Sequence, residues 1–200
     1  MFQDLDATLA ALLEKELAIK NVAISFAAPN DQFPPTSVSL PALSFFLYDM
    51  RENTGLRSTQ WEDERQPNGN GMVRVSRKRP PARVDCSYLI TAWPSESAPN
   101  PAQDEHRLLG EVLKVLLRHR AIPLAYLKGE MVGQDPPMRA RLISDNQLHS
   151  LGEYWQALGG KPRATLHYSV TLSVDVFDSV DVGPEVKTKA IKVTQGVKAN

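Results

Sequence analysis

The sequence predicts an α/β protein of the α+β kind, in which a mixed, mainly antiparallel sheet is flanked by about three helices. Within the stretch 163–177, residues 164–176 alternate apolar and polar side chains without exception, the pattern of a half-buried antiparallel strand. In the strand predicted over residues 82–93, an apolar set alternates with a polar one: Ala82, Val84, Cys86, Tyr88 and Ile90 against Arg83, Asp85, Ser87 and Thr91. Other stretches place leucines and valines at helical spacing, which predicts amphipathic helices that cover the sheet.

The strand predicted over residues 163–177 is unusually long. At about 3.3 Å per residue it would extend about 50 Å, two to three times the usual strand length. This strand is longer than the core of a small domain needs, and it continues into a polar, lysine-bearing tail. Such a segment is typical of a strand whose far end pairs with another subunit. We therefore expect a structural subunit rather than an enzyme, with a domain over residues 1–177 and an extended C-terminal arm over residues 178–200.

Composition narrows the function classes. The chain has 200 residues, of which 42% are hydrophobic, enough for one domain with a core. Its 23 basic and 23 acidic residues cancel, which argues against a dedicated nucleic-acid binder. Cys86 is the single cysteine, so no intrachain disulfide is expected. The acidic, amphipathic start is unlike a signal peptide, and no stretch approaches the ~20 apolar residues of a membrane span. We expect folding in the cytoplasm.

Local patterns predict the remaining elements. Helical spacing predicts helices over residues 2–19 and 101–120, the second with a capping box formed by Asn100 and Gln103. A third helix is predicted to start at Ser144, with Gln147 in its capping box, and to end at residues 159–160. Alternation predicts further strands over residues 22–26, 42–50 and 138–143. Because the strand over 42–50 is apolar on both faces, we expect it to be covered on both sides.

Charges are segregated between residues 59 and 83. An acidic run is followed by a turn cluster and then by a basic run, and residues 62–65 and 73–78 are predicted to form the arms of a hairpin or flap. Two interpretations of the basic run remain open: a solvated edge that discourages stray pairing, and an electrostatic contact with an acidic neighbouring subunit. The residues concerned are Arg74, Arg77, Lys78, Arg79 and Arg83, with Glu62, Asp63 and Glu64 as candidate countercharges.

The sequence shows no pattern that is typical of an active site. The four histidines lie in different predicted elements and have no metal-ligand spacing (His106, His119, His149 and His167). Cys86 lies on the apolar face of its strand without a nearby base, which predicts a buried structural thiol. There is no nucleophile elbow and no phosphate-binding glycine loop. We expect no catalytic residue, no metal site and no cofactor.

Three stretches together resemble a known family. They are LYDMRENTGLR at 47–57, RPPARVDCSYLITAW at 79–93 followed by DEHRLLGEVL at 104–113, and YWQALGGKPRATLHYSVTLSVDV at 154–176. In this order and spacing they are similar to the N-terminal domain of the tail-terminator (cap) proteins of extracellular contractile injection systems, of the virulence-cassette and antifeeding-prophage type. The resemblance covers most of residues 1–177 and leaves out the flap at 59–78 and the tail.

This resemblance implies a phage tail-terminator-like α/β fold without a bound cofactor. It implies a homo-hexameric ring that binds the membrane-distal end of the inner tube and the sheath and stops their growth. Such a ring would be assembled in the cytoplasm, as part of a phage tail-like particle that is released or membrane-attached, without binding nucleic acid or inserting into a membrane. The charged residues of the flap would then contact a ring neighbour or the tube.

The resemblance also suggests a role for the arm. Sheath subunits of these machines exchange strands, so residues 178–200 are expected to add a strand to the top sheath layer. The candidate sheath contacts are Lys187, Lys189, Ile191, Lys192 and Val193. Rival hypotheses are a stand-alone sheet-based module that binds a protein or a carbohydrate, an enzyme with an unrecognised site, and a protein that binds nucleic acid through its basic run.

Overall fold

The computed structural model describes residues 1–68, 72–142 and 151–184. The chain forms two compact units, a larger one of residues Met1–Arg57 and Ala82–Val174 and a smaller one of Ser58–Pro81 and the segment from Asp175 onward. In chain order the elements are α1 (Phe2–Glu16), β1 (Ala23–Ser25), β2 (Ala42–Glu52), β3 (Glu62–Asn68), β4 (Met72–Lys78), β5 (Ala82–Trp93), α2 (Pro101–Arg118), β6 (Arg139–Leu142), α3 (Leu151–Ala157), β7 (Leu166–Val174) and β8 (Val180–Pro184).

The larger unit is built on a five-stranded sheet in the order β1-β2-β5-β7-β6. Only β1 and β2 run parallel, and every other neighbouring pair is antiparallel. At its centre Tyr88 of β5 lies opposite Tyr168 of β7, and both side chains are fully buried. The mixed, mainly antiparallel sheet with helices predicted from the sequence is therefore confirmed.

The main core lies between one face of this sheet and the first two helices. Leucines at helical spacing on α1 and apolar residues of α2 join the inward-facing side chains of β2, β5 and β7 in one cluster. The fully buried members include Leu5, Leu9, Leu12, Phe45, Ile90 and Val170. On the opposite face Ser44, Leu89 and Thr91 are buried as well, so the first half of β2 is covered on both sides as predicted.

The strand predicted over residues 163–177 is shorter than its sequence pattern, so that prediction is wrong. β7 ends at Val174, which pairs with Ala82, the first residue of β5. Pro80 and Pro81 precede Ala82 and cannot donate a backbone hydrogen bond, so the ladder stops there. The alternating pattern continues beyond Val174, but its residues belong to the smaller unit.

Two predictions at helix starts have different outcomes. Asn100 is the N-cap of α2, but its side chain makes no capping hydrogen bond, so the predicted capping box is wrong at this position. Pro101 occupies the first turn as expected, where its missing N–H costs nothing. Ser144, the predicted start of the third helix, lies outside the described residues.

The smaller unit is a three-stranded antiparallel sheet in the order β3-β4-β8. The hairpin predicted from the charge runs is confirmed, with arms that extend to Asn68 and Lys78. The third strand, β8, comes from the segment predicted to be the start of the arm, and it pairs with β4 of the same chain. No helix within the described residues has the length and hydrophobicity needed to span a membrane.

Candidate assembly interface

The described residues of the smaller unit form no hydrophobic core of their own. None of its residues with a described exposure is buried, and residues 62–67 of β3 are all exposed. Sheets of two or three strands need an apolar face packed against something to be stable in water. Its described contacts are instead ladder hydrogen bonds, cross-strand ion pairs and one aromatic cluster.

Two ion pairs join strands of this sheet, and another joins β4 to the segment before β8. Arg77 lies directly opposite Asp63 and donates a hydrogen bond to its carboxylate, with 2.7 Å between Nε and Oδ1. Arg74 pairs with Asp181, and the Lys78 ammonium lies 2.9 Å from a carboxylate oxygen of Asp175. The Arg77 guanidinium holds the pKa of the Asp63 carboxyl below its usual range. Because all three pairs are solvent-accessible, each adds little to stability.

An aromatic clamp closes the base of the sheet. The guanidinium carbon of Arg79 lies 4.9 Å from the ring centroid of Trp61 and 4.6 Å from that of Phe177. These residues come from just before β3, just after β4 and just before β8. The clamp therefore ties all three strands together through cation–π contacts.

The two faces of the smaller sheet differ in polarity. The register places Asp63, Arg77 and Val180 opposite one another on one face, and period-two alternation adds Arg65, Val73 and Val75, so this face mixes valines with charged residues. The other face is polar and consists of Glu62, Glu64, Gln66, Arg74, Ser76 and Lys78. Each of the outer strands, β3 and β8, pairs only with β4 among the described residues, so both leave one ladder edge open there.

Arg83 is separated from the other residues of the basic run. It lies in β5 of the larger unit, is only 6% exposed, and donates hydrogen bonds to Ser173 Oγ and to the carbonyl of Pro136. Burial, together with the nearby Arg139, lowers the pKa of its guanidinium. Arg83 therefore stabilises the packing of β5 and is not available at the surface.

The predicted sheath contacts cannot be placed. All five lie outside the described residues: Lys187, Lys189, Ile191, Lys192 and Val193.

The candidate ring or tube contacts lie together in the smaller unit, with the exception of Arg83. They are Glu62, Asp63, Glu64, Arg74, Arg77, Lys78 and Arg79. Four of these seven, Asp63, Arg74, Arg77 and Lys78, already take part in ion pairs within that unit.

A second charged surface, which the sequence analysis missed, lies in the larger unit. An open cleft of about 670 Å³ is lined by the three arginines Arg120, Arg139 and Arg141. Arg139 and Arg141 alternate on the edge strand β6 and so share a face, and Arg120 follows the end of α2. The remaining lining residues are Asn53, Gly55, Leu56, Ala121, Ala140 and Thr171. An arginine at every second position of the strand predicted over residues 138–143 was the signal in the sequence.

One carboxylate anchors the wall of this cleft. Asp85 of β5 accepts hydrogen bonds from Thr171 Oγ1 at 2.6 Å, from Asn53 Nδ2 at 3.0 Å and from Arg141 at 3.3 Å. Arg120 and Arg139 have no ion pair with any carboxylate of the described residues. The cleft therefore presents positive charge that the described part of the chain does not neutralise.

The groups considered for catalysis lie apart from one another. The Cys86 thiol is fully buried, and its burial raises its pKa to about 12, which suits a structural thiol. His119 lies 3.5 Å from Glu16, His106 is exposed on α2, and burial lowers the pKa of His167 on β7. His149 lies outside the described residues. Within the described ranges, no three His, Cys, Asp or Glu side chains are placed to hold a metal ion.

Two solved structures share this fold along the whole chain. One is the sheath/tube terminator of an extracellular contractile injection system, PVC, in its extended state, with a TM-score of 0.69 and 27% identity over 100% of this chain. The other is the tube-terminating cap of the anti-feeding prophage, with a TM-score of 0.66 and 28% identity over 96% of this chain. The fold is that of the terminators of contractile injection systems.

The family follows from the sequence itself. Residues 4–188 match the Pvc16 N-terminal domain, so the chain belongs to that family. The resemblance noted in the sequence analysis is thereby confirmed. No curated protein matches the chain. The match extends over 65% of the PVC terminator and 62% of the anti-feeding prophage cap, so the chain spans less than two thirds of either protein.

Proposed function

We propose that this chain is a structural cap subunit that forms a ring at the distal end of the inner tube and sheath of a contractile injection system and ends their polymerisation. The similarity of the whole chain to two such terminators, at TM-scores of 0.69 and 0.66, carries this proposal. The ring is a homo-hexamer, its partners are the tube and sheath proteins, and it is assembled in the cytoplasm into a phage tail-like particle. The role is structural and includes no reaction.

The physical character of the smaller unit supports an assembly role. No residue of its sheet whose exposure is described is buried, and within the described part of the chain its outer strands β3 and β8 have open edges. A sheet of this kind gains most when another chain covers a face or an edge. A terminator needs such a surface, because it must bind the last layer of a filament.

The contact residues divide into two groups. Glu62, Glu64 and Arg79 provide exposed charge for a ring neighbour or the tube, and Asp63, Arg74, Arg77 and Lys78 provide solvent-accessible ion pairs there. Arg83 is left out of this surface because it is buried. The sheath contact is assigned to the tail, with Lys187, Lys189, Ile191, Lys192 and Val193 as its candidate residues.

The proposal is tested with purified chain, tube and sheath. Native mass spectrometry of the chain alone is expected to give an oligomer of six copies, and sedimentation of preformed tubes and sheaths is expected to carry the chain into the pellet. Tube and sheath lengths measured by negative-stain microscopy are expected to stop increasing after the chain is added. A chain that leaves tube and sheath growth unchanged and stays in the supernatant would refute a terminator role.

The role of the tail requires a truncation that spares the smaller sheet. Removing residues 178–200 would delete β8, so the informative variant ends at Pro184. This variant is expected to form the ring and to lose co-sedimentation with the sheath. Wild-type co-sedimentation by the truncated chain would show that the tail makes no sheath contact. A monomer that ignores both filaments would instead favour the stand-alone binding module.

A further inference from the structure

Three arginines are brought together by the backbone around β6. Arg139 and Arg141 lie on one face of this strand, and positions two apart in a strand are separated by about 6.6–6.8 Å. The Arg120 carbonyl accepts a hydrogen bond from the Ala140 N–H at 2.8 Å, and Ala121 forms a β-bridge with Arg139. All three arginines are exposed, and together they line the open cleft of about 670 Å³.

Most of this positive charge has no acidic partner within the part of the chain that the structure describes. Arg120 and Arg139 form no ion pair there. The carboxylate of Asp85 lies 3.3 Å from Arg141, but it is only 13% exposed and already accepts hydrogen bonds from two uncharged side chains. Arg141 itself is 63% exposed, so its guanidinium group can bind a further carboxylate.

Two more carboxylates lie on β2, just before the cleft residue Asn53, and both already have arginine partners. Asp49 pairs with Arg51, with 2.6 Å between Oδ2 and Nε. Glu52 accepts two hydrogen bonds from the Arg57 guanidinium, at 2.8 and 2.6 Å. Bidentate pairs of this kind are among the stronger ion pairs. The positive charge of the cleft is therefore left to attract carboxylates from another molecule.

The lining of the cleft favours a polypeptide over a nucleic acid. Besides the arginines, the lining includes Leu56, which is 49% exposed, and the small apolar residues Ala121 and Ala140. An apolar side chain can bury part of Leu56, which a phosphate backbone does not do. The 23 basic and 23 acidic residues of the chain also leave no overall positive charge that would attract a nucleic acid over a long range.

We propose that this cleft docks an extended acidic segment of another protein. Carboxylates at alternate positions of the segment pair with Arg139 and Arg141, because an extended chain has the same two-residue spacing as β6. A further carboxylate pairs with Arg120, and an apolar side chain on the same face of the segment contacts Leu56. Clusters of arginines recognise acidic motifs in this way.

The acidic segment binds through its side chains and adds no strand to the sheet. The bridge from Ala121 and the hydrogen bond to the Arg120 carbonyl already occupy that side of the β6 backbone beside Arg139 and Ala140. The contact is separate from those proposed for the smaller unit and the tail. It goes beyond the terminator function and does not depend on it.

Peptide binding tests this proposal directly. The probe is a fluorescein-labelled peptide with glutamate at three alternate positions, leucine at each end and serine between them, and the control peptide has glutamine in place of glutamate. By fluorescence anisotropy at low salt, the acidic peptide is expected to bind at least tenfold more tightly than the glutamine peptide. The difference is expected to shrink at about 0.5 M salt, because ions screen exposed pairs. Equal affinity of the two peptides would overturn the proposal.

Substitutions in the cleft locate the binding. Arg120→Gln with Arg139→Gln is expected to weaken binding of the acidic peptide at least tenfold. Lys15→Gln with Arg107→Gln removes the same net charge from exposed positions on α1 and α2 and is expected to bind as wild type does. Arg120→Lys with Arg139→Lys keeps the charge without the bidentate geometry, so an intermediate affinity is expected. A cleft variant that binds like wild type, or a control pair that loses as much, would overturn the proposal.

A spectroscopic measurement on the wild-type chain avoids any effect of the substitutions on folding. Titration with the acidic peptide is expected to shift the arginine Nε–Hε resonances of Arg120, Arg139 and Arg141 and to leave that of Arg107 in place. Shifts confined to arginines outside the cleft would contradict the assignment of the site.

Two other occupants are tested in parallel. An oligothymidylate is expected to bind more weakly than the acidic peptide. If it binds as tightly and depends on Arg120 and Arg139, the cleft is a nucleic-acid site and the proposal fails. Self-association of the wild type that requires these arginines and is not reversed by the acidic peptide would assign the cleft to a second copy and likewise overturn the proposal. Because these assays contain no tube or sheath, a negative result leaves the terminator function standing, and loss of that function would leave this site standing.

Discussion

Replacing Asp85 with alanine removes the carboxylate that joins several parts of the larger unit. Asp85 lies on β5 and accepts hydrogen bonds from Thr171 on β7, from Asn53 after β2, and from Arg141 on β6. Its side chain is 13% exposed. The substitution leaves the Thr171 hydroxyl and the Asn53 amide without their acceptor at a site that water reaches only partly.

The expected cost follows from these contacts. A hydrogen bond to a charged acceptor contributes about 1.5–3 kcal/mol, and the pair with the exposed Arg141 adds under about 1 kcal/mol. Because the site is 13% exposed, water can replace part of the lost hydrogen bonding. The free energy of unfolding is therefore expected to fall by about 3 kcal/mol. For a unit of this size, 3 kcal/mol corresponds to about 6–12 °C in Tm.

The assay is urea denaturation followed by circular dichroism, with Asp49→Ala as the matched control. Asp49 also carries a carboxylate on the central sheet, but its described ion-pair partner is Arg51, which is 63% exposed. Its replacement is expected to cost under about 1 kcal/mol. A double-mutant cycle with Thr171→Val measures the Asp85–Thr171 coupling, expected at about 1–2 kcal/mol. If Asp85→Ala costs no more than Asp49→Ala, the account of Asp85 as an anchor is refuted.

Three further predictions concern single groups. With its pKa raised to about 12, Cys86 is expected to be unreactive towards a disulfide reagent at pH 8 in the native chain and to titrate as one thiol in 6 M guanidinium; a native reaction at the unfolded rate would contradict this. Burial raises the pKa of Asp6, whose carboxylate accepts a hydrogen bond from Tyr88 at 2.7 Å, so its ionised form disfavours folding. Relative to the Asp6→Asn variant, wild type is therefore expected to gain stability as the pH falls through the raised pKa of Asp6 towards 3.8. The measurement is Tm as a function of pH for both proteins, and a difference in Tm that does not change with pH would refute the raised pKa. Arg79→Ala removes the cation–π contacts with Trp61 and Phe177, which contribute about 1–2 kcal/mol together. The smaller sheet is then expected to open more often, so that a glutamyl endoprotease cleaves at Glu62 or Glu64 about fivefold faster or more. The control Arg107→Ala is expected to leave the cleavage rate unchanged.

The sequence predicted the central sheet well because β7 alternates strictly and most of β5 does. β5 has the predicted bounds of residues 82–93, since both of its ends are set by local signals, Pro80–Pro81 before it and Pro94 after it. The predicted length of β7 was too great because period-two alternation reports only the local backbone conformation. The end of a strand depends on its neighbour, and β7 ends where its neighbour β5 begins, at Ala82. The pattern therefore predicted extended chain correctly but not the change from one sheet to another at Val174.

The candidate site was predicted only in part for a related reason. The hairpin follows from turn residues between two charged runs, and the structure contains it. The burial of Arg83 could not be predicted, because on β5 it looks like any other polar position and its acceptors, Ser173 and Pro136, come from distant parts of the chain. Arg120 meets the arginines of β6 only through the tertiary fold, so sequence spacing assigned it to the end of a helix.

The smaller sheet also sets an order of events during synthesis. Its hairpin emerges early from the ribosome, whereas Asp181, which pairs with Arg74, follows 107 residues later. At about 5–20 residues per second, this delay lasts about 5–20 s. Because an isolated hairpin is marginally stable in water, β3 and β4 are expected to fold stably only after β8 has been synthesised and pairs with β4. Any surface that depends on this sheet is therefore completed only after β8 has been made, which keeps a shorter growing polypeptide from joining an assembly too soon.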